Sequence, residues 1–310
     1  MHSNSEQKLN RICPVCLETR KEEVLAKQEL LLVRCQSCEM VFADQVPAQY
    51  ADAFYNEVAD SLYLSEEKLQ SDYATVRFER EIKLLRHHLS SGRILDVGCS
   101  TGAFLYQVKK RWPKSYDILG TDICQPALAY AKRQQVSVVE ESFLKCDFGE
   151  SHFDAITFWA VLEHLLDPRL FLAKAASLLK PGGFCFILVP NFRSLATRLL
   201  GAKYRYIFPQ HVNYFTSATL RKLVGTESNW KIVEEGSCHF NPMVIWQDRK
   251  NKGAAFVSDQ ERVKLLKATT SYKQNPLLAP IKWAYNFSEK CLGATNLADN
   301  IYIVLQKQNQ

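Results

Sequence analysis

Two stretches of the chain carry residue types whose spacing implies chemistry. The first is Arg93 to Leu105, RILDVGCSTGAFL, where an apolar strand ends at an acid, Asp96, and runs into a turn, Gly98-Cys-Ser-Thr-Gly102, that opens a helix. Small residues let a ligand approach the backbone, and the first amides of a helix lack partners within it, so they offer donors to a carboxylate. The turn is not G-x-G-x-x-G, in which a second glycine lets a pyrophosphate lie against the backbone, so the loop suits a ligand without a diphosphate. The second stretch holds Cys13-Pro-Val-Cys16 and, after eighteen residues, Cys35-Gln-Ser-Cys38. Two C-x-x-C knuckles at this separation present thiolates for tetrahedral zinc, and a site with four protein ligands is closed, so the metal is expected to be structural. Disulfides suit the pattern less, because the polar start MHSNSEQKLN lacks the apolar core of a secretion signal and the remaining cysteines are scattered singly. A redox pair would need a βαβ context that residues 1–45 lack.

The Arg93–Leu105 segment resembles motif I of class I S-adenosylmethionine-dependent methyltransferases, and further motifs of that family follow in order between about residues 75 and 235, with the last strand near 300. In YDILGTDICQPALAYAK, Asp122 stands about twenty residues past the loop, where the family's ribose-binding acid ends the second strand. VSVVEESFLKCDF resembles the third strand plus the loop whose Asp and apolar neighbour hold adenine, here Asp147 and Phe148. SHFDAITFWAVLEHLLDP is similar to the fourth strand with an E-H-L-x-D-P element, and LLKPGGFCFILVPN to the helix, turn and fifth strand beyond it. The resemblance implies an α/β, Rossmann-like fold with a seven-stranded, mostly parallel sheet, and S-adenosyl-L-methionine as cofactor. It implies cofactor contacts at Asp96, Gly98, Cys99, Ser100, Gly102, Asp122, Ile123, Asp147, Phe148 and Trp159. Taken without the resemblance, Asp96 and Asp122 also suit caps for the helices that follow, and Phe148 suits a core position. Cys99, Cys124, Cys146 and Cys185 lie in or beside apolar strands and read as small hydrophobes.

These residues need elements to hold them. The expected organisation is a disordered tail at 1–11, a zinc-ribbon-like module at 12–45, a connector at 46–71 carrying Tyr50, Phe54, Tyr55 and Tyr63, and a catalytic domain from 72 to 310. Tyr73, Val76, Ile82, Leu85 and Leu89 approximate one helical stripe before the first sheet strand. Strands and helices then alternate to Pro190, which implies crossover helices on a parallel sheet. A helical insertion at about 240–297 is expected to lid the cleft before the closing strand. With 47% hydrophobic and 23% charged residues the composition is that of a globular protein. The longest apolar run, FCFILVP, is far short of the roughly 20 residues needed to cross a bilayer, so no membrane association and a cytoplasmic location are expected. The net charge of +6 is dispersed, which gives nucleic-acid binding little support.

Past Pro190, FPQHVNYFTSATLRKL resembles a segment of one branch of the family in which P-x-H-x-x-x-F/Y-T precedes a helix, with Thr216 as N-cap. His211 could take a proton from an acceptor hydroxyl or amine, or simply hydrogen-bond its loop in place. His164, in the E-H-L-x-D-P element, is the second base candidate. Some quinone-pathway relatives carry a further acid three residues before Glu163, an arrangement suited to a divalent metal; Ala160 stands there in this chain, which weakens a metal reading. The resemblance implies methyl transfer to a small-molecule acceptor, with oxygen favoured. A sugar C-methyltransferase and a non-catalytic zinc-ribbon adaptor are the alternatives, and RNA methylation lacks an N-P-P-Y motif after the fourth strand.

Overall fold

A computed structural model describes residues 8–47, 63–149, 152–227, 229–250, 255–275 and 279–308; Tyr50, Phe54 and Tyr55 lie outside the described residues. The chain opens with five short strands: β1 (Lys8–Asn10), β2 (Lys21–Lys27), β3 (Leu30–Cys35), β4 (Val41–Ala43) and β5 (Gln45–Pro47). The expected tail is therefore corrected in part. Lys8–Asn10 pair antiparallel with Gln45–Pro47, because the edge of β5 supplies the backbone partners that a free tail would take from water.

The expected single helix before the sheet is two, α1 (Glu66–Asp72) and α2 (Glu79–His88). The break has a local cause. The Gln107 side-chain amide donates to the carbonyls of Asp72 (3.3 Å) and Ala74 (2.7 Å), and the Tyr73 hydroxyl donates to the Thr101 carbonyl (2.6 Å), which ties this segment to the next helix. Then follow β6 (Gly92–Val97), α3 (Ala103–Arg111), β7 (Tyr116–Thr121), α4 (Gln125–Arg133), β8 (Val138–Val139) and β9 (Phe153–Trp159). After β9 come a 3₁₀ turn at Leu162–His164, α5 (Pro168–Leu178), β10 (Leu179–Pro190), α6 (Leu195–Leu200), β11 (Asn213–Tyr214) and α7 (Ser217–Val224). The chain closes with β12 (Trp230–Cys238), the helices α8 (Pro242–Arg249), α9 (Asp259–Gln274) and α10 (Ala279–Ala294), and β13 (Asn300–Lys307). Thr216 caps α7 as expected, with Thr219 completing a reciprocal capping box.

The central sheet has seven strands in the order β8-β7-β6-β9-β10-β13-β12. All run parallel except β13, which is antiparallel to both of its neighbours. Both faces are covered, which is why β9 (FDAITFW) and the FCFILV run of β10 are almost continuously apolar. One face packs Ile82, Leu85, Phe104 and Leu128 from the helices preceding and following β6 and β7. The other packs Leu172, Ala175, Leu220 and Leu223 and, in the same cluster, Cys13, Val33, Cys35, Met40 and Phe42 from the amino-terminal strands. The amino-terminal sheet, in the order β11-β4-β3-β2, takes its fourth strand from after β10. No helix among the described residues is long and apolar enough to cross a membrane.

Candidate active site and cysteine cluster

The glycine turn sits where the carboxyl ends of β6, β7 and β9 meet. Gly98 and Gly102 have φ of +72° and +76°, and Ser100 joins them in the left-handed region at +50°. A Cβ on Gly98 would lie 2.6 Å from Val161 Cγ2, so the turn needs glycine there for space as well as for conformation. The Asp122 carboxylate accepts from the Ser100 amide (2.7 Å) and the Cys124 amide (2.9 Å), which ties the turn to the end of β7. Asp122 does not cap the following helix, whose N-cap position is Cys124 without a side-chain cap bond. Burial pushes its acid upward and the two amides oppose the shift. Asp96 is buried beneath the turn, where its Oδ1 accepts from Thr157 Oγ1 (2.6 Å) and desolvation raises it to about 7. The Cys99 thiol faces inward: a Cβ on Gly120 would lie 2.6 Å from its Sγ, so the side chain is packing and only its backbone faces the turn. Ile123 follows Asp122 half-buried. Trp159, at the end of β9, keeps a buried Nε1 without a hydrogen-bond partner, as does the Ser100 hydroxyl. The indole borders a cavity of about 310 Å³ shared with Glu81, Leu84, Leu188, Glu234 and Tyr302. A glycine cradle closed to any Cβ, an acid at the end of β7 and two unpaired donors fit an adenosyl cofactor.

Asp147 and Phe148 are not part of this arrangement. Asp147 caps its own turn by accepting from the Gly149 amide (2.9 Å), and the Phe148 ring lies 6.0 Å from both Phe143 and Phe153. Phe153 is the first residue of β9, so Phe148 packs at the amino end of that strand, with Phe143 bridging to Phe158 (6.0 Å) nearer its carboxyl end. The residues that do follow the carboxyl end of β8 are Glu140, Glu141 and Ser142, and the Glu141 carbonyl accepts from Thr121 Oγ1 (2.7 Å). They stand directly after the VSVV run, and that adjacency was the signal available in the sequence.

Beyond β9 the chain turns at Ala160 (φ +57°) into the 3₁₀ turn, and the 205–213 segment returns against it, with the Val212 amide donating to the Glu163 carbonyl (2.8 Å). His211 and His164 are brought together, their rings 4.8 Å apart at 79°. His211 Nδ1 donates to the Tyr206 carbonyl (3.0 Å) and His164 Nδ1 to the Gln210 carbonyl (2.9 Å), which leaves each Nε2 with the lone pair. His211 therefore holds its loop and keeps a nitrogen able to accept a proton. Glu163, which sequence reasoning did not place in the chemistry, is 1% exposed with both carboxyl oxygens unpartnered. One ligand atom from each of Glu163, His164 and His211 lies within 4.8 Å of the others. Desolvation pushes Glu163 up to about 8 and His164 down to about 4, and it holds His211 well below its ordinary value, with His164 and Arg262 adding to the effect. The cluster therefore favours a protonated carboxyl beside two neutral imidazoles.

The four amino-terminal cysteines converge. Cys13 and Cys38 Sγ are 3.4 Å apart, Cys16 and Cys35 Sγ 3.5 Å, and all four lie within 4.8 Å of one another. These separations are far beyond an S–S bond of about 2.05 Å and close to the about 3.8 Å between sulfurs around tetrahedral zinc with 2.3 Å bonds. The two knuckles repeat one geometry, with Leu17 and Glu39, each four residues after the first cysteine of its pair, at φ +63° and +67°.

Comparison with known proteins agrees with this architecture. Residues 68–235 match the family described as a methyltransferase domain. The ubiquinone biosynthesis O-methyltransferase of Bradyrhizobium diazoefficiens is 29% identical over 144 residues, which cover 43% of this chain and 54% of that protein. The protein of the same name from Mesorhizobium japonicum is 27% identical over 187 residues, 56% of this chain and 72% of its own. The chain spans about half the length of most curated relatives it matches. A Thermotoga maritima structure described as a SAM-dependent methyltransferase, possibly a histamine N-methyltransferase, superposes with a TM-score of 0.52 at 13% identity, covering 82% of this chain and all of that one, and shares the fold. With the family match spanning more than half of the 310 residues and a seven-stranded sheet with β13 antiparallel, the chain belongs to the methyltransferase-domain family and carries the class I fold of its S-adenosylmethionine-dependent members.

Proposed function

We propose that this protein methylates a hydroxyl of a small-molecule acceptor and that His211 receives the acceptor's proton. The observation that carries the reading is the neutral, buried His211 Nε2, set beside Glu163 in the turn that leaves the carboxyl end of β9. When bound, S-adenosyl-L-methionine supplies an already activated methyl group, so the protein has only to align the acceptor and remove its proton. Asp122 would hold the ribose hydroxyls, the amides of the Gly98–Gly102 turn the carboxylate end, and Glu141 and Ser142 the base-proximal side. Asp96 supports the turn from beneath, and Ile123 and Trp159 wall the cleft. Oxygen is favoured over carbon and nitrogen because the relatives are named as O-methyltransferases.

Cys13, Cys16, Cys35 and Cys38 would hold one structural zinc, a reading supported by their mutual distances. The base assignment is tested with a panel of hydroxylated and amino acceptors. His211→Ala should leave S-adenosylhomocysteine affinity within about twofold while lowering turnover by about 10²–10⁴-fold. A loss of less than tenfold, or the same pattern from His164→Ala alone, makes His211 a packing residue.

A further inference from the structure

Arg11 is 8% exposed, and its guanidinium makes no ion pair within 4.0 Å of a carboxylate among the described residues. Its hydrogen bonds go instead to neutral acceptors. Nη1 donates to the Val212 carbonyl (2.6 Å), and Nη2 donates to Asn213 Oδ1 (2.8 Å) and the Leu166 carbonyl (3.2 Å). These acceptors belong to the two segments that make the base cluster, just after His211 and just after the Glu163–His164 turn. Asn213 stitches the same turn a second time, donating from Nδ2 to the carbonyls of Leu162 (2.8 Å) and Leu165 (2.7 Å). On its other side Arg11 stands two residues before Cys13 and lies over the Phe42 ring, 5.6 Å from its centroid. A buried cation needs compensating negative charge nearby. The Asp167 carboxylate supplies one negative charge near Arg11, and zinc with four thiolates, beginning at Cys13 two residues on, would supply two more. The backbone links the same places: β4 begins three residues after Cys38 and pairs with β11, Phe42 opposite Asn213, while Lys222 Nζ donates to the Cys38 carbonyl (2.9 Å).

We propose that Arg11 is a positioning residue that couples metal binding at the cysteine cluster to the geometry of the Glu163, His164 and His211 cluster. The inference rests on the zinc and base readings above. Loading of the metal fixes the knuckles and adds to the counter-charge of Arg11, and Arg11 with β4 then fixes the 162–166 and 211–213 backbone.

The test needs no acceptor. In the full chain, zinc is removed with a chelator and restored with zinc alone, while hydrogen exchange is followed at 160–166, 208–215 and, as the reference, 97–104. Removal should raise exchange in the first two segments by at least about tenfold and leave the glycine turn within about twofold, with restoration on reloading. Arg11→Gln should weaken zinc binding by about tenfold or more in competition with a chromophoric chelator, and raise exchange at 208–215 even when zinc is bound. Arg11→Lys, which keeps the charge without the planar fork, should hold zinc within about threefold of wild type yet still raise that exchange. One zinc bound per chain with no change of exchange at 160–166 and 208–215 on removal overturns the coupling and leaves the zinc reading standing. A uniform rise that includes 97–104 also overturns it, and a chain that binds no zinc overturns both. If Arg11→Gln does not fold, zinc removal and Arg11→Lys decide the question.

Discussion

The two halves of the site are built in opposite ways. The core of the cofactor half, the glycine turn and Asp122, lies in one stretch of about thirty residues, in which Asp122 reaches back 22 positions to the Ser100 amide, while Asp96 is held by Thr157 of the adjacent strand, 61 positions away. The proposed base half is assembled from three distant segments: Arg11 and Asn213 are 202 positions apart, and His164 and Gln210 are 46 apart. It leaves a buried carboxyl, Glu163, with no hydrogen-bond partner among the described residues. A site whose partners are local survives loss of distant structure, whereas one whose partners are remote depends on everything between them. The cofactor half should therefore be robust and the base half contingent.

The sharpest way to break this contrast is Cys35→Ser. The sequence suggests that only residues 12–45 would loosen, but Cys13, Cys35, Met40 and Phe42 share one core with Leu223 and Phe215. Zinc content should fall from one per chain to none, and turnover by about 10²-fold or more, while S-adenosylhomocysteine affinity stays close to wild type. A large loss of affinity in calorimetry would show that the halves are not separable. Next in size is Asp122→Ala, which removes two amide contacts within the loop as well as the expected ribose bonds. Even one hydrogen bond to a charged group contributes about 1.5–3 kcal/mol, so S-adenosylhomocysteine affinity should fall by at least about 10–100-fold, and equal affinity in mutant and wild type would sink the cofactor assignment.

A smaller effect is read from pH. His211 is depressed, so it is already neutral at pH 6.5 and a rate limited by its protonation should be flat from there to pH 9. If ionised Glu163 were required, the rate would instead climb through about pH 8. Stability gives an independent reading. Glu163 is raised from 4.5 to about 8, so the folded chain keeps a proton that the unfolded chain releases. Its contribution is complete below about pH 4.5 and is lost as pH rises through about 8. Glu163→Gln should therefore reduce the drop in denaturant stability between pH 6 and 9, and an unchanged drop would show that the carboxyl is not held protonated. The smallest effect tests the boundary of the cofactor half. Phe148→Leu should lower stability by about 1 kcal/mol through lost ring packing, with S-adenosylhomocysteine affinity within twofold of wild type. A tenfold loss of affinity would return Phe148 to the cofactor site.

How much could be read from the sequence follows the same division. Gly98, Gly102, Asp122 and the alternation of strands and crossover helices were legible, because each depends on neighbours in the chain. The cysteine knuckles were legible for the same reason, and the four thiols do meet. Asp147 and Phe148 misled because an acid followed by an apolar residue in a loop after β8 has the right composition at the wrong end of β9. Glu163 and Arg11 were opaque: the importance of each lies in what surrounds it, and those surroundings arrive from segments 32 to 202 positions away. The Lys8–Asn10 strand was missed because three residues, Lys-Leu-Asn, are too few to show a period, and only the edge of β5 gives them a reason to extend.

The borrowed strand β11 also sets a timetable for synthesis. Asn213 is made about 170 residues after Ala43, a delay of roughly 10 to 35 seconds at 5–20 residues per second on the ribosome. Through that interval the knuckles, whose residues are all made, could already hold the proposed zinc, yet β4 presents an unpaired edge of the kind that invites association with other chains. Arg11 waits equally long for the carbonyls it will hold. The segment holding β4 thus emerges long before it can finish folding, and slowing translation between residues 43 and 213 should lengthen its exposure to holdase chaperones and to aggregation.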